Sequence, residues 1–171
     1  FKKNDILGAV TGKNIAISGD VVNIIFDHLM TKLHVVYEVA SDVTVEYVKL
    51  KNVCMGGTYN YTDMTYGNAN TVVASNEINM YLNTEINTAE AMLYPFTATS
   101  DPKIVVKIAG VANELEYTID INNGFVFEGG KLYVKNIAIS RTGITANDEW
   151  IKNVPGGKIL WIGTSIPAGS G

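Results

Sequence analysis

Two histidines, one cysteine and an acidic triplet are the residues of this chain whose types invite chemistry. His28 and His34 stand six apart. On a single strand that spacing puts both imidazoles on one face about 20 Å apart, too far for a shared metal ion. Each reads as a surface or hydrogen-bonded histidine rather than a base or a ligand. Cys54 is the single cysteine, which excludes an internal disulfide and a thiolate metal cluster. Its nearest basic neighbours in sequence are Lys49 and Lys51, and a buried, inert thiol is the expected state. Asn147-Asp148-Glu149 is acidic but lacks the spaced oxygen ligands of a calcium loop, so a solvated turn is expected there. Asn60-Tyr61-Thr62 matches an N-glycosylation triplet, a pattern too short to carry weight alone. Nothing in this set calls for a metal or a cofactor, and no catalytic residue is expected within it.

The elements that must hold these residues read as strands. Segments 14–18, 21–26, 33–39, 43–50, 58–61, 78–82, 91–96, 103–108, 115–121 and 131–139 are short and rich in β-branched and aromatic residues. Turn-forming Gly, Asn, Asp and Ser bound them. That pattern predicts an all-β fold, a two-layer sandwich. Strict alternation over 43–50 places Val43, Val45 and Tyr47 on one face and Thr44, Glu46 and Val48 on the other. Phe26, Leu33, Val35 and Tyr37 are expected between the sheets, each contributing roughly 1.5–3 kcal/mol on burial. Asn122-Asn-Gly124, Glu128-Gly-Gly-Lys131 and the stretch 109–114 supply the turns, with Gly57, Gly129 and Gly130 as backbone pivots. Phe26, Leu29, Met30 and Leu33 fall at helical spacing, which predicts one helical turn within 26–32. Residues 68–77 read as a polar surface loop, and Trp150 as a cap on one end of the core.

Composition narrows the function classes. With 47% hydrophobic and 18% charged residues, the 171-residue chain is long enough for a core. A net charge of −4 with a single arginine, Arg141, lacks the cationic footprint of a nucleic-acid binder. No apolar run approaches the roughly 20 residues of a membrane-spanning helix.

Four ordered patterns resemble the fimbrillin family of surface-pilus and adhesin subunits. The first is Asp5-Ile-Leu7 leading into Val22-Asn-Ile-Ile-Phe26-Asp-His28-Leu-Met-Thr-Lys32-Leu33. The second is the 43–53 strand followed by Gly57-Thr-Tyr-Asn60. The third is Ala91-Met-Leu-Tyr-Pro95. The fourth is Phe127-Glu-Gly-Gly-Lys-Leu-Tyr133 running through Ile139 to Gly143-Ile144 and Trp150. Together they span about residues 5–152. The resemblance implies a transthyretin-like β-sandwich on the outer surface of a Gram-negative cell. It also implies partners among other pilus subunits, joined by insertion of an extended segment of one into a groove of its neighbour.

The C-terminal segment differs from the rest. Ile159, Leu160, Trp161 and Ile162 are apolar on both faces, so this strand must be covered on both sides. It follows a flexible joint, Asn153-Val-Pro-Gly-Gly157. Lys158-Ile-Leu-Trp-Ile-Gly-Thr-Ser-Ile166 resembles the opening block of the SGNH (GDSL-type) hydrolases, with Ser165 at the nucleophile position and Thr164 replacing the usual Asp. That resemblance implies an esterase or deacetylase on surface glycans, with Ser165 as nucleophile only where a hydrolase domain follows. No base-bearing Asp-x-x-His block is present here, so Ser165 has no activating partner in this chain. A donor strand and an ordinary edge strand are the other two readings of this segment.

The expected organisation is a sandwich over 1–152, a linker at 153–157 and a terminal strand over 158–171. The expected function is non-catalytic: surface assembly, adhesion or display. An accessory module ahead of a hydrolase is one alternative. A glycan-binding module is another, favoured by nine Tyr and two Trp if several line one exposed patch.

Overall fold

A computed structural model of the chain describes residues 7–8, 27–69, 77–120, 125–146 and 151–152. Every regular element among them is a strand: β1 (Leu7–Gly8), β2 (Asp27–His28), β3 (Thr31–Val39), β4 (Val45–Lys51), β5 (Gly57–Asn60), β6 (Thr65–Ala69), β7 (Glu77–Asn79), β8 (Tyr81–Asn83), β9 (Thr88–Leu93), β10 (Phe96–Thr97), β11 (Lys103–Ile108), β12 (Leu115–Thr118), β13 (Val126–Phe127), β14 (Leu132–Ser140), β15 (Gly143–Ala146) and β16 (Ile151–Lys152). The all-β expectation holds. The strands predicted over 14–18 and 21–26, Phe26, the 122–124 turn, residues 147–150 and everything from 153 onward lie outside the described residues.

Two sheets face each other. One has the order β15-β14-β3-β9-β8, with β16 paired to the first part of β14 on the same side as β15. The other has the order β12-β11-β4-β7. All pairings are antiparallel except β3 with β14, which run parallel from Lys32↔Leu132 to Val39↔Ile139. Alternation decides what each strand buries. β3 turns Leu33, Val35 and Tyr37 inward, β14 turns Tyr133, Lys135, Ile137 and Ile139, and β9 turns Ala89, Ala91 and Leu93. From the facing sheet come Val48, Leu50, Ile104, Val106 and Ile108, all fully buried.

Three departures from simple alternation have physical causes. In β4 the register against β11 shifts between Lys107 and Ile108, so that Lys107 faces Tyr47 and Ile108 faces Val45. This β-bulge sets two residues, Glu46 and Tyr47, against one and flips the alternation. Val43, Val45, Val48 and Leu50 are therefore buried, and Tyr47 faces outward, correcting the predicted faces. The predicted strand over 78–82 is two strands: β7 joins the four-stranded sheet and β8 the six-stranded one. Met80 between them is buried, its N–H donating to Val48 O at 2.9 Å. A strand that changes sheets closes this side of the sandwich. On the other side β12 lies against β15. The predicted 91–96 strand breaks at Pro95, which has no N–H for the ladder, and Phe96 resumes in β10 against β13.

No helical turn occupies 27–32. β2 ends at His28, Leu29 and Met30 are buried in a kink, and β3 begins at Thr31, whose hydroxyl donates to Glu128 O at 2.7 Å. The kink brings consecutive apolar residues to the core without a helix. β6 reaches Ala69, two residues into the predicted loop. Gly110 (φ +73°) and Gly130 (φ +69°) take the left-handed conformations expected of turn glycines, whereas Gly57 opens β5 as an ordinary strand residue. Gly129 is needed for a different reason. A Cβ there would stand 1.8 Å from the Tyr66 hydroxyl.

Candidate functional site

The fold distributes polar side chains over three places. The first is the outer face of the six-stranded sheet. His34 on β3 lies opposite Glu90 on β9, and Glu90 Oε1 accepts from both His34 Nδ1 and Lys32 Nζ, each at 2.7 Å. The hydrogen bond from His34, joined by that from Lys32, holds the Glu90 carboxyl below the usual carboxylate range against the opposing effect of burial. Beside it, Ile78, Met80, Tyr81, Glu90, Ala91 and Met92 border a groove of about 250 Å³. His28 sits on β2 rather than on the strand of His34, so the single-strand separation expected for the two histidines does not apply.

The second place is the outer face of the four-stranded sheet, an ion-paired lattice. Lys51 bridges Glu116 (2.9 Å) and Glu77 (3.4 Å), Lys49 bridges Glu114 (3.2 Å) and Glu77 (3.3 Å), and Lys103 pairs with Glu116 (2.9 Å). The Tyr47 hydroxyl, turned outward by the bulge, donates to Glu114 at 2.7 Å. That bond, then Lys49, lowers the Glu114 pKa, while Lys51 and then Lys103 lower that of Glu116. Val105 points to this same face yet is fully buried, flanked across the strands by Lys49 and Glu116. Long charged side chains cover apolar surface in this way.

The third place is the β5–β6 hairpin, where four tyrosines meet. Tyr61 contacts Tyr59 with ring centroids 5.0 Å apart, Tyr59 contacts Tyr66 at 5.1 Å, and Tyr66 contacts Tyr94 at 5.9 Å, all edge to face. The Tyr94 hydroxyl donates to Thr58 O (2.6 Å) and Gly67 O (3.2 Å), one carbonyl on each strand of the hairpin or its flank. The Tyr66 hydroxyl donates to Leu29 O at 2.5 Å. Burial, with the neighbouring phenols, raises the Tyr66 pKa to about 12.

The remaining candidates are not brought together. Cys54 is fully buried and its thiol donates to Gly56 O. Asn60 Oδ1 accepts from Thr62 N at 2.9 Å, so the glycosylation-like triplet forms an ordinary Asx turn. Asp148, Glu149, Trp150 and Ser165 lie outside the described residues. Among the described residues no three His, Cys, Asp or Glu side chains approach within metal-holding range, and no helix is long and apolar enough to cross a membrane. Two features escaped the sequence reading. Lys135 is 2% exposed between the sheets, its ammonium 5.6 Å from the Tyr117 ring. Alternation from Tyr133 to Ile139 places it inward, so the signal was present. The tyrosine cluster was not foreseeable, because Tyr94 comes from a distant strand.

Among the described residues, two facing layers, an ion-paired outer face and polar groups that hold strands together make up a β-sandwich. The chain belongs to the fimbrillin-like family, whose model matches residues 1–153. Solved structures share the fold. A proposed cell adhesion protein from Bacteroides uniformis superposes with a TM-score of 0.59 at 19% identity, covering 75% of this chain and 52% of its own. One from Bacteroides ovatus gives 0.59 at 20%, covering 77% and 46%. The tip fimbrial protein Mfa3 of Porphyromonas gingivalis, truncated at its C terminus, gives 0.51 at 8%, covering 74% and 52%. The chain spans about half the length of these structures. No curated protein matches it.

Proposed function

We propose that this chain is a subunit module of a surface appendage, exported to the outer face of a Gram-negative cell and assembled there by addition of an extended segment from a neighbouring subunit. One observation carries the assembly route. β9 pairs with β3 along its whole length but with β8 only from Thr88 to Glu90. On the side away from β3, Ala91–Leu93 therefore has no strand among the described residues, and this open edge borders the groove beside Ile78, Tyr81 and Met92. An added strand gains main-chain hydrogen bonds at such an edge and specificity from side chains seated in the groove.

The test is incorporation. Tyr81 is 55% exposed at the groove, so Tyr81→Lys, its folding checked by a thermal melt, sets an ammonium where the added strand would pass. Sheared surface material from cells carrying Tyr81→Lys is expected to hold less of the subunit in detergent-resistant oligomers than wild type. Equal incorporation would remove this edge from the assembly route, and wild-type subunit confined to the cytoplasm would remove the surface assignment. The family match ends at residue 153, which supports a boundary at 152–153 with residues 158–171 as a separate segment. The reading frame past Gly171 tests that segment: a downstream Asp-x-x-His makes it the start of a hydrolase, and an early stop removes that reading.

A further inference from the structure

We propose that the β5–β6 hairpin is a binding site for neutral carbohydrate, with the Tyr61 ring as the stacking surface and Tyr59 as the wall beside it. The proposal rests on the hairpin's own residues and stands or falls independently of the assembly route.

The first argument is exposure without a folding role. In the ring chain Tyr94 is 5% exposed, Tyr66 39% and Tyr61 60%, with Tyr59 half-buried between the last two. Tyr94 and Tyr66 do structural work through their hydroxyls, whereas Tyr61 stands at the tip with its ring in solvent. Met55, close by in sequence, is 53% exposed as well. Single exposed apolar residues are ordinary, but a rigidly supported aromatic group is not.

The second argument is rigidity. A two-stranded hairpin alone is marginal in water, and this one is fastened from below. Tyr94 holds the Thr58 and Gly67 carbonyls, and Tyr66 reaches across to Leu29. Gly67 lets the strands close, since a Cβ there would meet Thr58 Oγ1 at 2.1 Å. At the tip, Asp63 Oδ1 accepts from Thr65 N and Thr65 Oγ1, and Met64 takes φ +59°. A surface already fixed in shape loses little entropy when a ligand arrives.

The third argument is chemistry. From Met55 to Gly67 the single charged side chain is Asp63, and no Lys or Arg occurs. An anionic ligand finds no counter-charge here. A stable protein interface needs about 800 Å² per partner, more than a hairpin tip supplies. What the tip offers is an aromatic face, rings at 76° to one another, and the amide, hydroxyl and carboxylate groups of Asn60, Thr62 and Asp63. A pyranose presents the complement: weakly positive C–H groups for the negative face of the ring, and hydroxyls around its rim for the polar groups.

The experiment is a printed array of uncharged glucan, mannan, galactan and xylan oligosaccharides beside sulfated and sialylated ones, probed with the labelled chain. Capture by uncharged glycans is expected, with Tyr61→Ala reducing affinity about tenfold or more. Tyr61→Phe, which keeps the ring, is expected to stay within about threefold of wild type. Ile86→Ala, 64% exposed outside the hairpin, should match wild type. Thermal melts verify that each variant folds. No capture of uncharged glycans, equal capture by Tyr61→Ala, or capture restricted to sulfated or sialylated glycans would each overturn the proposal. So would loss of subunit incorporation in Tyr61→Ala with no glycan bound, which would make the hairpin a protein contact. Normal incorporation of Tyr81→Lys, by contrast, leaves the proposal untouched.

Discussion

Tyr37 and Tyr133 sit on adjacent strands of the same sheet, both facing the core, and removing their hydroxyls should change stability in opposite directions. Tyr37 is 2% exposed, and its hydroxyl has no hydrogen-bond partner among the described residues. Burial alone raises its pKa, so the phenol stays protonated. A hydroxyl taken from water without a compensating bond costs about 1–3 kcal/mol. Tyr37→Phe removes that cost and leaves a void of roughly 10 Å³, a penalty of about 0.2 kcal/mol at ~24 cal/mol per Å³. The net expectation is stabilisation by about 1 kcal/mol, or a rise of roughly 2–4 °C in melting temperature for a chain of this size. Tyr133 is fully buried, but its hydroxyl accepts from Glu128 N at 2.9 Å and donates to Val126 O at 3.1 Å. Tyr133→Phe leaves both groups unsatisfied and should cost about 1–3 kcal/mol. Urea denaturation of the two variants with an unchanged slope measures both signs. Loss of stability by 1 kcal/mol or more in Tyr37→Phe would refute the reasoning, because it would mean that the hydroxyl is bonded in solution.

Three further outcomes are expected. The lowered Glu90 pKa means that the unfolded carboxylate binds protons first as pH falls, so its stabilisation is complete above about pH 4.3 and lost as pH drops through the folded value. The gap between wild type and Glu90→Gln in urea melts should therefore narrow below that pH, and parallel curves would count against the pairing with His34 and Lys32. Val48→Ala, at a fully buried position, should cost about 2 kcal/mol, and Tyr47→Ala clearly less; the reverse order would show that the bulge is misplaced. Gly129→Ala drives a Cβ toward the Tyr66 hydroxyl and to 2.8 Å from Leu29 O. It should destabilise by about 1–3 kcal/mol and speed amide exchange over β5 and β6, and unchanged exchange would mean that the hairpin is held otherwise.

The sequence made individual strands legible and their relations much less so. The predicted 103–108 strand coincides with β11, and the inward set Leu33, Val35 and Tyr37 follows from alternation alone. The bulge at Glu46–Tyr47 could not be read, because it is a property of the register with β11 rather than of β4. The same holds for Met80, where the chain leaves one sheet for the other, and for Glu90, which meets His34 across 56 residues. Helical spacing from Phe26 to Leu33 misled because a kink between two strands also buries residues at uneven intervals. Lys135 is the opposite case: its inward position was available from its neighbours on β14. The family resemblance, carried by patterns along 5–152, proved the most transferable part of the reading, since it depends on order rather than on register.

The two outer faces set the terms on which another subunit can join. Covering the four-stranded sheet would desolvate Lys49, Lys51, Lys103, Glu77, Glu114 and Glu116 together, at several kcal/mol per ion before any new contact is formed. Its edge strands β7 and β12 carry Glu77 and Glu116, charges of the kind that discourage edge pairing. Along β9 the charge is confined to Glu90 with its partners Lys32 and His34, and the stretch Ala91–Leu93 beyond it carries none. The outer face of the six-stranded sheet also holds hollows of about 270 and 430 Å³ where Ala138, Gly143 and Thr145 are too small to fill the surface. Strand addition there extends a sheet instead of burying a charged face, so its main-chain bonds form whatever the sequence of the incoming segment. Selectivity must then come from the side chains that reach past Tyr81 and Met92. The assembly reading thus depends on the width of a groove more than on any charged group.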